Sequence, residues 1–207
     1  MVKREQIGVF GGTFDPIHFG HLAIAEEARV ALGLSQVIFI PAAHQPLKGR
    51  VPELSEQRLA MVRLACTDNP AFRVDDLELR RPPPSYTIDT LIHLRERFGT
   101  EVELWFILGA DAAQDLPRWH RIEQILALTR LAIVARPGHQ CDLTALQATL
   151  PALAGRATLI HGPRLEISSS DLRRRLSEGL PVRYQLPEAV RQFILTHQLY
   201  HYREPPQ

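Results

Sequence analysis

Cysteine is scarce in this chain. Cys66 and Cys141 are the only two in 207 residues, and they form no CxxC or CxxH pattern, so neither a disulfide framework nor a structural zinc site is implied. That usage suits a reducing compartment, and a cytoplasmic location is expected. An excess of charge of one sign is also missing. Lys and Arg number 24 against 23 Asp and Glu, a formal net charge of +1. Such a balance provides no whole-molecule field for duplex nucleic acid, so no nucleic-acid partner is expected and any anion site must be local. Long apolar runs are absent as well. The first, Ile7 to Phe10, is interrupted by glycines and is too short for a signal peptide, and none approaches the ~18 residues of a membrane span, so no membrane partner is expected. No internal repeat or low-complexity linker occurs, and nothing sets an oligomeric state. The length fits one domain spanning residues 1–207, with residues 168–207 as its C-terminal helical part.

What is present is a regular alternation. Apolar runs rich in Val, Ile and Phe occur at Ile7 to Phe10, Val37 to Ile40, Val102 to Leu108 and Leu131 to Ala135. Each is followed by Gly, Pro or polar residues, which reads as a buried strand. Further strands are expected over Phe72 to Leu79 and Ala157 to Ile160. Helical stripes lie between them: Leu22, Ala25, Ala28 and Leu32, then Leu59, Val62 and Ala65 behind Ser55, then Ile88, Leu91 and Ile92 behind Thr87. Ser168, Ser169 and Ser170 precede a helix through Leu172 and Leu176, and Val190, Phe193, Ile194 and His197 mark another. Strands alternating with helices imply an α/β, doubly wound, mainly parallel sheet with helices on both faces. Ligands of such sheets bind beyond the carboxyl ends of the strands.

The segment GGTFDPIHFGH, Gly11 to His21, falls at that edge. Gly11 and Gly12 follow the first strand and let the backbone approach a ligand closely. Gly20 and His21 open a helix whose first N–H groups carry the positive end of its dipole, a setting that attracts phosphate. His18 and His21 are spaced to aim ring N–H groups at one anion. Taken singly, a Gly-Gly is a turn and either histidine is structural; a metal pair lacks a third ligand at obvious spacing. GxxxxGK[ST] and GxGxxG are both absent from this turn.

The HxGH string resembles the HxGH nucleotidyltransferase superfamily, and GGTFDPIHFGH as a whole is similar to the bacterial nicotinate-nucleotide adenylyltransferases within it. The resemblance implies a Rossmann-like fold that makes a dinucleotide from ATP and nicotinate mononucleotide. Pro84 to Thr87, PSYT, resembles the family's mononucleotide-binding loop, with Thr87 also placed to cap a helix. Leu108 to Asp111, LGAD, resembles its adenosine-side loop. Pro117, Arg118 and Trp119 match a pattern in which the tryptophan stacks on the pyridine ring. His120 stands where relatives often carry tyrosine. Ile167 to Arg173 resembles the family's ISSTxIR segment, in which a second helix start and an arginine meet the triphosphate. Ser168 and Asp171 could equally form a capping box there. The loop after the second strand departs from PPHK or PPHR, reading Gln45, Pro46, Leu47 and Lys48, so Lys48 alone is carried over. His44 is a possible substitute for the missing imidazole.

Residue by residue, the resemblance implies His18, His21, Lys48 and Arg173 as the catalytic charges and donors. It implies ATP contacts from Gly11, Gly12, Thr13, Phe14, Gly20, Gly109, Asp111, Arg136, Ile167, Ser168 and Ser169. Mononucleotide contacts are implied from Asp15, Ser85, Tyr86, Thr87 and Trp119. Mg²⁺ is expected on the triphosphate of ATP, with no metal site on the protein. The alternatives are the amide mononucleotide or phosphopantetheine as acceptor, and a nucleotide sensor that retains the fold without catalysis.

Overall fold

The computed structural model describes residues 4–43, 55–82, 84–135 and 141–203. Six apolar segments pair side by side, all parallel: β1 (Gln6–Gly12), β2 (Gln36–Pro41), β3 (Phe72–Val74), β4 (Glu103–Gly109), β5 (Arg130–Ala135) and β6 (Ala157–His161). Their order in the sheet is β3-β2-β1-β4-β5-β6. The chain therefore builds outward from β1 in one direction through β2 and β3, then returns to the middle and builds outward through β4, β5 and β6. Connections diverge between β1 and β4, the switch point beyond whose carboxyl ends ligands of such sheets bind.

Alternation along the strands assigns each side chain to one of two cores. On one face Phe10, Val37, Phe39, Trp105 and Ile107 pack with α1 (Phe19–Leu32), α2 (Ser55–Cys66), α7 (Ser169–Ser177) and α8 (Glu188–Thr196). On the other, Ile7, Val9, Ile38, Ile40, Leu104, Phe106 and Leu108 pack with α3 (Thr87–Phe98), α5 (Ile122–Leu128) and the short α4 (Ala110–Ala113). The expected α/β fold with helices on both faces is thus observed. The C-terminal helices share the first core through Leu172, Leu176, Val190 and Ile194. No helix among the described residues is long and apolar enough to cross a membrane.

Several local expectations need correction. The strand from Phe72 ends at Val74 rather than Leu79. Asp75 Oδ1 accepts the Leu77 amide at 3.0 Å, and Asp76 O accepts those of Leu79 and Arg80 at 2.9 and 3.2 Å. Local turn bonds capture the backbone groups a longer ladder would need. Gly11 and Gly12 belong to β1 rather than following it, in register with Ile40 and Pro41 of β2. Tyr86, not Thr87, is the N-cap of α3, and its side chain makes no cap bond. Helices α4, α5 and α6 (Leu143–Thr149) had no sequence signal, being too short to show a repeated apolar stripe.

Candidate active site

Three segments carry the expected site residues. The first is the β1–α1 turn. Helix α1 begins at Phe19 with His18 as its N-cap, one residue earlier than the glycine suggested. The His18 amide donates to His21 Nδ1 at 3.3 Å, and the two imidazoles stack with centroids 3.7 Å apart. Phe14 meets the His21 ring edge-on at 5.1 Å. Both rings are consequently held by packing before any ligand arrives. Gly20 is what permits it: a Cβ there would lie 3.0 Å from the His18 ring and 3.5 Å from Ile167 O. Gly12 is equally constrained, since a Cβ would come within 2.9 Å of the Phe14 ring. Of the leading amides of α1, Phe19 N is taken by Gln185 O, and His21 N and Leu22 N by His18 O. The Gly20 amide stands in the first turn of α1, at the positive end of its dipole, where an anion is favoured.

The second segment is the start of α7, brought against the first by tertiary packing. Ser168 caps α7, accepting the Asp171 amide at 3.2 Å. Ser169 Oγ donates to Pro16 O at 2.9 Å, and Arg173 Nη1 donates to Asp15 O at 2.6 Å. Arg173 Nη2 also donates to Ser170 Oγ at 3.2 Å. The starts of α1 and α7 therefore converge, bringing His18, His21, Ser168, Ser169 and Arg173 together. Arg174 turns outward to Asp171 and Glu178, as a solvated face should.

The third segment lies on the other face of the sheet. Gly109, at the end of β4, is the N-cap of α4, with the exposed Asp111 in its first turn. Trp119 sits edge-on to Phe106 of β4, centroids 5.7 Å apart at 87°. Tyr86 packs on His120 at 4.4 Å, so the histidine that replaces the family's tyrosine closes onto the PSYT loop. Ser85 Oγ accepts the Ala43 amide at 3.2 Å, tying that loop to the end of β2. Lys48, His44 and Arg136 lie outside the described residues.

Asp15 is also among the expected mononucleotide contacts. Its carboxylate is 2% exposed and accepts a 2.9 Å hydrogen bond from the Tyr200 hydroxyl, with Arg173 Nη1 4.0 Å away. Arg58, 0% exposed, donates to Thr13 O at 2.7 Å. Burial lowers the pKa of this guanidinium, while attraction to Asp15 and Tyr200 opposes the shift. Neither Arg58 nor Tyr200 was singled out by sequence. Arg58 had a signal: it stands three and four residues before Met61 and Val62, on the buried stripe of α2. Glu78 was missed too. It accepts the Thr90 hydroxyl at 2.6 Å beneath the PSYT loop, and burial raises its pKa against the pull of Thr90, Arg81 and Ser85. Among the described residues no group of three or more His, Cys, Asp or Glu gathers to hold a metal ion.

Comparison with known proteins finds relatives in sequence and in fold. The profile of the cytidylyltransferase-like family matches residues 9–175. A protein of Roseiflexus sp. (strain RS-1), described as a probable nicotinate-nucleotide adenylyltransferase, is 57% identical over 96% of this chain and 100% of its own length. One of the same description from Herpetosiphon aurantiacus is 51% identical over 95% of this chain and 98% of its own. Among solved structures, the nicotinic acid mononucleotide adenylyltransferase of Plasmodium falciparum complexed with NaAD shares the fold, with a TM-score of 0.79 at 20% identity over 96% of this chain and 98% of that one.

Proposed function

We propose that this chain, which belongs to the cytidylyltransferase-like family and within it to the nicotinate-nucleotide adenylyltransferases, transfers the adenylyl group of ATP to nicotinate mononucleotide. A 5′-phosphate oxygen of the mononucleotide attacks the α-phosphorus of ATP as the bond to the bridging oxygen of pyrophosphate breaks. The products are nicotinate adenine dinucleotide and pyrophosphate. The nucleophile is already an anion, so no protein nucleophile or base is needed. The protein's task is to align two negative groups and offset charge developing on the α-phosphate and the leaving group.

His18, His21 and Arg173 supply donors and charge for that task, joined by the Gly20 amide and the two helix starts. Lys48 and Arg136 complete the phosphate side, with Gly109 and Asp111 on the adenosine side. Trp119 stacks on the pyridine ring, while Ser85, Tyr86, Thr87 and His120 line the mononucleotide site. Asp15 acts on the mononucleotide only through the loop it anchors. Mg²⁺ would enter with ATP as part of the substrate and would supply positive charge to offset that of the triphosphate. Shared packing of α7 and α8 with the sheet supports treating residues 1–207 as a single domain.

The observation that carries this reading is the convergence of two helix starts bearing His18, His21 and Arg173 at the turn that follows β1. The acid is preferred to the amide because the close relatives are described as nicotinate-nucleotide enzymes. The test is to incubate the protein with ATP, Mg²⁺ and either pyridine mononucleotide, measuring pyrophosphate and identifying the product. Dinucleotide formed mainly from the acid is expected. None from either acceptor would overturn the reading.

A further inference from the structure

The turn that carries His18 is gripped from behind. Between β1 and α1 the carbonyls of Thr13, Asp15 and Pro16 are taken by Arg58 of α2 and by Arg173 and Ser169 of α7, at 2.7, 2.6 and 2.9 Å. Buried carbonyls need such partners, and here they come from 45 to 158 residues away. Beneath them the Asp15 carboxylate accepts the Tyr200 hydroxyl and sits among the guanidinium charges of Arg58 and Arg173.

Tyr200 reaches Asp15 at a conformational cost. Its φ is 62°, and Gln198 and His201 nearby have φ of 49° and 54°. Left-handed backbone is unfavourable for side chains other than glycine and persists where surrounding contacts over-determine it, most often at functional sites. At the other end of the bond, Phe14, next to Asp15, also has a positive φ of 48°. The ring of Tyr200 is 4% exposed, its oxygen within reach of Asp15 and, at 4.0 Å, Met61 Sδ. A phenylalanine would fill the same space, so the hydroxyl is there for the carboxylate.

We propose that Tyr200 and Arg58 are positioning residues, which hold the Thr13–Pro16 turn and through it set the directions of His18 and the Arg173 guanidinium. The proposal rests on the adenylyl-transfer reading for its kinetic consequence. Misplacement of reacting groups by about 1 Å costs up to ~10²-fold in rate, so removing one anchor should slow turnover without abolishing binding.

The test compares wild type with Tyr200→Phe and, independently, Arg58→Lys, which keeps the charge but loses the planar guanidinium that bonds Thr13 O and Ser55 Oγ at once. Steady-state kinetics with ATP and nicotinate mononucleotide are measured below the melting temperature, with backbone hydrogen exchange on the same samples. The expected result for each variant is a fall in kcat of about tenfold with KM for both substrates within about twofold, and faster exchange confined to the 13–21 segment. A lower Tm with unchanged kcat and no local change in exchange would make both residues merely structural and overturn the proposal. So would a rise in KM alone. If Tyr200→Phe does not fold, Arg58→Lys decides by the same criteria. A wild-type protein inactive with every acceptor defeats the adenylyl-transfer reading instead, and the exchange pattern then decides the positioning role by itself.

Discussion

His18 and His21 stack with their rings 3.7 Å apart and inclined by 26°, one capping the helix on whose third position the other stands. The cap bond, the stacking and the edge of Phe14 fix both imidazoles before substrate binds. Preorganised donors of this kind stabilise charge that develops in a transition state without being reoriented. Replacing either histidine with alanine should lower kcat by ~10² to 10³, roughly 3 to 4 kcal/mol, with a smaller effect on KM. Steady-state rates of pyrophosphate release check this, and an unchanged rate removes that histidine from the mechanism.

Trp119 is half-buried, its ring edge-on to Phe106. Stacking on a pyridine ring is worth roughly 0.5 to 1.5 kcal/mol beyond area burial. Trp119→Ala should therefore weaken nicotinate mononucleotide binding several-fold more than ATP binding. Titration of each nucleotide separately decides it. Equal weakening of both contradicts the stacking role.

Glu78 links pH to stability. Burial raises its carboxyl pKa above the ordinary 4.5, so the folded state holds the proton more tightly than the unfolded state. That contribution is present below about pH 4.5 and is lost as pH rises through the folded pKa. Glu78→Gln, which keeps an acceptor for Thr90 but cannot ionise, should be spared this loss. Denaturation midpoints at about pH 5 and about pH 7.5 should shift in favour of the variant at the higher pH. A difference independent of pH would show that Glu78 stays in one ionisation state throughout.

Cys66 is 5% exposed, and burial pushes its thiol up to about 12. Thiolate is the reactive form. A thiol reagent applied to the native protein near pH 8 should spare Cys66, which lies on the buried face of α2, and modify it once the chain is unfolded. Mass mapping of the labelled peptides measures this. Rapid native labelling of Cys66 would show that α2 opens locally.

Much of the site was legible because its signals are local. The histidines, the glycine between them and the serines before Leu172 each report a turn or a helix start within a few residues, and the structure puts them there. The strand expected to run to Leu79 failed for an equally local reason: Asp75 and Asp76 close a turn that an apolar count does not register.

By itself the sequence determined the strand–helix alternation, the HFGH helix start and the family, since backbone period, turn chemistry and motif strings are properties of neighbouring residues. Tertiary structure alone decided that β1 and β4 lie side by side, that α7 closes onto the β1–α1 turn, and that Asp15 meets Tyr200. Those are pairings across 97 to 185 residues, set by which faces must be buried together and which buried polar groups must find partners. No local pattern encodes them, which is why the Asp15–Tyr200 pair came to light only in the fold.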